Sequence, residues 1–192
     1  MTGKILNSNV TNYDNSTCSY LGLVNELAEK WGLLSYLKFA IVLGVPYQEL
    51  LGCTVNISGR AKTRAGIAYI SDRKIVLNSA LLEPGREKDR DDTFLHECAH
   101  ILADLHHGFS CKHGKLWKEM MELIGQKPET RHNLTYLSRE AHAVTSWKCC
   151  RCDQKYHFVR RPRRKISNSY CRNCGPKLGV LKSVPITKGG YD

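Results

Sequence analysis

This chain has no long apolar run, and its last quarter has almost no acid. In 192 residues the longest apolar stretch, Leu33 to Val45, is broken by Ser35 and Lys38. It is too short to span a bilayer, so a transmembrane helix is not expected. The first residues, Lys4 and then Asn, Ser and Thr, lack the apolar stretch of a secretory signal. That reading places the protein inside a cell and leaves the Asn-x-Ser/Thr sequons at Asn9, Asn15, Asn56 and Asn133 unglycosylated. Disulfides are then unexpected, and the nine cysteines need another explanation, of which metal binding is the commonest for clustered pairs. The length allows one respectable core with a small accessory module, hardly two full domains.

The shortage of acid is local. Up to Ser146 there are 17 Lys and Arg against 16 Asp and Glu, whereas from Trp147 onward there are 12 against 2, which carries nearly all of the +11 net charge. Residues 1–17, rich in Asn, Ser and Thr with little to bury, are expected to be a disordered lead-in. Leu21, Val24, Leu27, Ala28 and Trp31 recur at helical spacing between Tyr20 and Trp31. A second apolar segment runs through Leu34, Leu37, Phe39, Ile41 and Val42, and together they imply one or two packing helices. Short β-rich runs at 54–58, 66–70 and 74–77 suggest a small antiparallel sheet. A charged loop from Glu83 to Asp92 follows, and a further helix is expected from Lys115 to Ile124.

Between these elements His96, Glu97, Cys98, Ala99 and His100 spell H-E-x-x-H. Asp91, Asp92 and Thr93 offer a helix start, Gly108 a stop, and Phe94, Leu95, Cys98, Ile101, Leu102 and Leu105 an apolar stripe. On such a helix the two histidines share one face a turn apart and can reach one metal ion, with Glu97 placed as general base toward a metal-bound water. Cys98 falls on the apolar side and reads as core.

A catalytic zinc takes three protein ligands, and several residues are candidates for the third. His106 stands where a metzincin has its last histidine, but Ala103 replaces the glycine that turns the chain there; as one of a pair with His107, it also fits a solvated helix end. Glu119 is spaced for a thermolysin-type carboxylate or for the polar face of a helix. His113 opens His113-Gly114-Lys115-Leu116-Trp117, and Cys111 lies two residues before it, as a loop thiol or a group near the metal.

With these residues the chain resembles the SprT-like metalloproteases, which include the eukaryotic Spartan proteases. The likeness rests on the motif helix, a loop and then His-Gly-x-x-Trp. Upstream it includes Arg64-Ala65-Gly66-Ile67-Ala68, Ile75-Val76-Leu77-Asn78 and Leu81-Leu82, and it covers roughly residues 20–180. The resemblance implies zinc on His96, His100 and His113 with Glu97 as base. No second oxyanion donor stands out, although Tyr136 and His142 are available.

Cys149-x-x-Cys152 and Cys171-x-x-Cys174, 18 residues apart, have the spacing of a zinc ribbon whose all-cysteine ion is structural. Cys150, between two of these, makes the first pair ambiguous, and the 149/152 spacing is preferred because it mirrors the second pair. A thioredoxin-like dithiol is disfavoured by the lack of a βαβ context. Between the pairs lie Lys155, Tyr156, Phe158, Arg160, Arg161, Arg163, Arg164 and Lys165, with Trp147 before them and Tyr170 after. Basic side chains that neutralise phosphates, interleaved with aromatics that can stack on bases, suit single-stranded or distorted DNA, though the aromatics would equally fill a small core.

The expected architecture is α+β. A zincin-like metalloprotease core of helices and a small sheet covers residues 18–146, a zinc-ribbon nucleic-acid-binding module covers 147–184, and a flexible tail covers 185–192. The expected function is that of a zinc metalloendopeptidase, cytoplasmic or nucleoid-associated, monomeric and carrying two zinc ions. DNA and protein substrates are its expected partners, and the resemblance implies cleavage of DNA-associated or DNA-crosslinked proteins. The alternatives are a general intracellular metallopeptidase independent of DNA and a non-proteolytic nucleic-acid-binding zinc protein.

Overall fold

The structure, a computed structural model, describes residues 18–186; the expected lead-in and all but two residues of the expected tail lie outside them. By contacts the chain divides into two units. One joins the described residues up to Arg60 with Gly66–Pro128, and the other joins Ala61–Ala65 with the described residues from Glu129. The expected mixture of helix and sheet is what the structure shows.

The first unit opens with β1 (Ser19–Leu23), α1 (Val24–Lys30) and α2 (Leu34–Leu37), which runs on as a 3₁₀ segment Lys38–Leu43. The single helix expected from Tyr20 is therefore a strand followed by a helix. Ser19–Leu23 pairs antiparallel with Thr54–Ser58, and the Leu23 N–H donates to Glu26 Oε2 at 2.9 Å to begin α1. A cross-strand partner far along the chain decided this segment over its local periodicity. In the next apolar segment only Leu37 and Ala40 are buried, and Phe39, Ile41 and Val42 face outward.

After α3 (Val45–Leu51) come β2 (Thr54–Ser58), β3 (Gly66–Tyr69) and β4 (Lys74–Asn78). They form a sheet in the order β1-β2-β4-β3. The sheet is mixed where an antiparallel one was expected: β4 pairs antiparallel with β3 but parallel with β2, Val55 opposite Ile75 and Ile57 opposite Leu77. Burial explains the insertion. β4 carries the fully buried Ile75 and Leu77 and takes a central place, which leaves the short β3 with Gly66 and Ala68 at the edge.

The helix α4 (Glu87–His107) starts inside the expected charged loop, four residues before Asp91. Glu87 and Asp89 complement the dipole of its first turn, and the Gly85 N–H donates to Glu87 Oε1 at 3.2 Å. It ends where expected, at Gly108 in the left-handed region with φ 75°. Residues 93–99 and 101–104 are all buried, so α4 is enclosed on nearly every side and not amphipathic. Strands β3 and β4 and helix α3 pack against it, as does α5 (Lys115–Leu123), which was expected. Among the described residues no helix is long and apolar enough to cross a membrane.

In the second unit β5 (Thr145–Cys149), β6 (Lys155–Phe158) and β7 (Leu181–Val184) form an antiparallel sheet in the order β6-β5-β7, with a one-turn helix α6 (Gly175–Leu178) before β7. Gly179 lies so close to the chain at Cys171 that a Cβ would sit 2.6 Å from the Gly175 oxygen and 2.8 Å from the Cys171 nitrogen.

Phe94 is fully buried and meets the Trp31 ring edge-on at 5.2 Å. Phe94→Ala is expected to destabilise the first unit by about 3–5 kcal/mol. The check is the urea unfolding midpoint; an unshifted midpoint would show that α4 is not the centre of this core.

Candidate metal centres and a basic groove

His96 and His100 leave α4 one turn apart, and His113 returns from the loop that follows the helix. His113 Nε2 lies 3.1 Å from His96 Nε2 and 3.2 Å from His100 Nε2. A tetrahedral zinc with Zn–N near 2.05 Å has ligand edges of about 3.3 Å, which both of these separations match, and the ligand atoms of all three histidines lie within 4.8 Å of one another. The fully buried Trp117 on α5 touches all three rings. It stacks on His100 at 5.2 Å, meets His113 edge-on at 4.7 Å and tilts against His96 at 4.8 Å. The indole thus forms an apolar support beneath the nitrogens.

Burial, with His113 beside it, pulls His100 down to about 4, and burial lowers His113 as well. Both imidazoles stay unprotonated at neutral pH and keep their lone pairs available. Of the other candidates for a third ligand, Glu119 is an exposed partner of Lys115 at 3.7 Å. His106 packs on His107 at the helix end, and neither it nor Glu119 joins the three-histidine group. The Cys111 thiol points back at the Ala103 carbonyl, 3.6 Å away, and Cys98 is fully buried in the core. Tyr136 and His142 belong to the second unit.

Glu97, buried beside His96, lies against β3. A Cβ built on Gly66 would come within 2.8 Å of Glu97 Oε1 and of Thr93 Cγ2. Only glycine lets the edge strand approach the carboxylate this closely.

The second group is Cys149, Cys152, Cys171 and Cys174, whose sulfurs lie within 4.8 Å of one another. The Cys149–Cys174 and Cys152–Cys171 sulfur distances are 3.8 and 3.5 Å. They lie near the roughly 3.8 Å edge of a tetrahedron with 2.3 Å Zn–S bonds. Cys150 is exposed and outside the group. The Arg151 N–H reaches Cys149 Sγ at 3.4 Å, and Asp153 adopts φ 57° as the chain turns. Three imidazoles and four cysteine sulfurs are both donor sets that suit zinc.

Trp147, Lys155, Tyr156, Phe158, Arg163 and Arg164 line one groove of about 940 Å³. Arg139, Tyr170 and Arg172 are also among its lining residues, whereas Arg160, Arg161 and Lys165 are exposed outside it. Three of the aromatics are already engaged. Trp147 is nearly buried against Phe158, ring centres 4.6 Å apart, and the Tyr156 hydroxyl donates to Cys171 Sγ at 3.1 Å while accepting the Arg172 N–H at 3.1 Å. That donated bond is the main reason the Cys171 thiol is pulled down to about 6. Tyr170, more than half exposed, is the aromatic with a free face. The Tyr156 contact could not be anticipated because it joins residues on different elements, but the position of Tyr170 next to Cys171 was a usable signal.

The SprT-like family matches residues 43–138. Among curated proteins, Protein SprT of Yersinia pestis is 32% identical over 146 residues, covering 74% of this chain and 83% of that one. Protein SprT of Photorhabdus laumondii is 34% identical over 135 residues, 68% of each chain. No solved structure matches.

Metal analysis of the purified chain is expected to give two zinc ions, and Cys171→Ser to leave one. A count that Cys171→Ser does not lower would remove the four-cysteine cluster as a metal site.

Proposed function

The chain belongs to the SprT-like family, and from that premise we propose that it is a zinc metallopeptidase brought to DNA by its basic groove, where it cuts DNA-associated or DNA-crosslinked proteins. The observation that carries the peptidase reading is the meeting of His96, His100 and His113, whose ligand atoms lie within 4.8 Å of one another, with a buried glutamate next to His96 on the same helix. His96, His100 and His113 would hold the zinc ion, which would supply Lewis acidity toward the attacking water and the scissile carbonyl. Glu97 takes the proton of the attacking water and hands it to the leaving amine. Trp117 and the enclosure of α4 hold the imidazoles and keep bulk water from their apolar side. Strand β3 ends the sheet beside Glu97, so its outer edge has backbone groups available to an extended peptide. None of these steps needs a covalent intermediate.

The DNA part of the proposal is supported by the concentration of charge. Arg139, Lys155, Arg163, Arg164 and Arg172 surround a groove that also holds the open face of Tyr170, the combination that binds single strands through phosphates and one stacked base.

Two measurements test the two halves. Self-cleavage and casein cleavage are expected with the parent chain, faster with single-stranded DNA, and to fall at least a hundredfold in Glu97→Gln. Equal rates in Glu97→Gln would end the peptidase reading, and equal rates with and without DNA would favour a peptidase that does not depend on DNA. Each neutralised phosphate of a single strand contributes roughly 0.7 to the slope of log K against log salt, so replacing Arg163 and Arg164 by Ala should lower that slope by about 1.4. An unchanged slope would exclude the groove as the nucleic-acid site.

A further inference from the structure

Helix α4 continues for almost two turns past His100, and Asp104 sits one turn beyond that histidine. It is a buried carboxylate, 9% exposed, on a helix face where a charge is costly unless it is hydrogen-bonded. Its two ends hold the chain in two places. The backbone carbonyl accepts the Gly108 N–H at 2.9 Å and closes the helix, while the side-chain Oδ1 accepts the Cys111 N–H at 2.8 Å, seven residues on. Cys111 is itself buried, with its thiol directed to the carbonyls of Ala103 and Phe109. The next turn follows at once: the Gly114 N–H bonds the Cys111 carbonyl at 3.0 Å, and Lys112 adopts φ 48°. His113 lies inside that turn. The backbone that presents the third imidazole is thus fixed at one end by a carboxylate on the helix that carries the other two.

We propose that Asp104 is a positioning residue for His113. By seating Cys111 it returns the loop to α4 before any metal arrives, and so sets the affinity of the three-histidine site. This rests on His113 being a metal ligand. An exposed loop of this kind otherwise samples many conformations, each of which must be given up when the ion binds, and a contact that restricts it beforehand reduces that loss. The contact works through the backbone of residue 111, so the identity of the side chain there matters less than the N–H.

The test is a double-mutant cycle on the full chain. Zinc affinity of the histidine site is measured by competition with a chromophoric chelator while the four-cysteine site stays loaded. Asp104→Ala should weaken binding ten- to a hundredfold, the range for groups that orient metal ligands. Asp104→Asn, which keeps an oxygen acceptor, should stay within about threefold. In the His113→Ala background Asp104→Ala should cost nothing further, because the residue it positions is gone. Losses that multiply in the double variant, or an Asp104→Ala chain that binds as the parent does, would overturn the proposal. A His113→Ala chain with parental affinity would instead overturn His113 as a ligand, and this inference with it. Hydrogen exchange of the metal-free parent gives a check that needs no variant: the Cys111 amide should already be protected, and free exchange until zinc is added would contradict preorganisation.

Discussion

Taking His96 and Glu97 out of water is costly, and everything that surrounds them follows from the way α4 is enclosed. Trp117 fills the space beneath the three rings with apolar contact, β3 closes over Glu97 with a residue that has no side chain, and the loop after Gly108 supplies the third nitrogen. Each of these elements is short or irregular by itself, and each has its place because α4 is already buried between sheet and helices. The helix is thus both the centre of the core and the carrier of two of the three clustered histidines, so packing and site cannot be varied independently.

The features of the fold that were legible in the sequence are those set by near neighbours. The end of α4 followed from Gly108, α5 from its apolar spacing before Gly125, and the meeting of three histidines from a motif and a His-Gly-x-x-Trp segment. What escaped depends on distant partners. Ser19–Leu23 is a strand because Thr54–Ser58 lies beside it, and β4 lies between β2 and β3 because Ile75 and Leu77 need cover on both sides. The early start of α4 had a local signal in Glu87 and Asp89, but Asp91, Asp92 and Thr93 offered a competing one. In the site, Gly66 against Glu97 and Asp104 on Cys111 are contacts between elements that no spacing rule encodes.

The two candidate metal centres also stand in different relations to their surroundings. The three histidines extend from an apolar core that has its own reasons to fold. The four cysteines belong to three short strands and a single helical turn with few large buried side chains, and there an ion would supply much of the stability. Tyr156 joins that cluster to the groove, one face of its ring on the wall and its hydroxyl on Cys171. From the sequence its ring is open to stacking on a base or to filling a small core, and its structural commitment is to a thiol.

Gly66 shows how little of a site a motif describes. The histidines, the glutamate and their spacing are all on α4 and the following loop, yet the room for the carboxylate is decided thirty-one positions earlier by a hydrogen atom in place of a methyl group. A chain with alanine there would pass every pattern search for H-E-x-x-H while its glutamate had been pushed from its seat. A relative of that kind would be recognised only by looking at the edge strand.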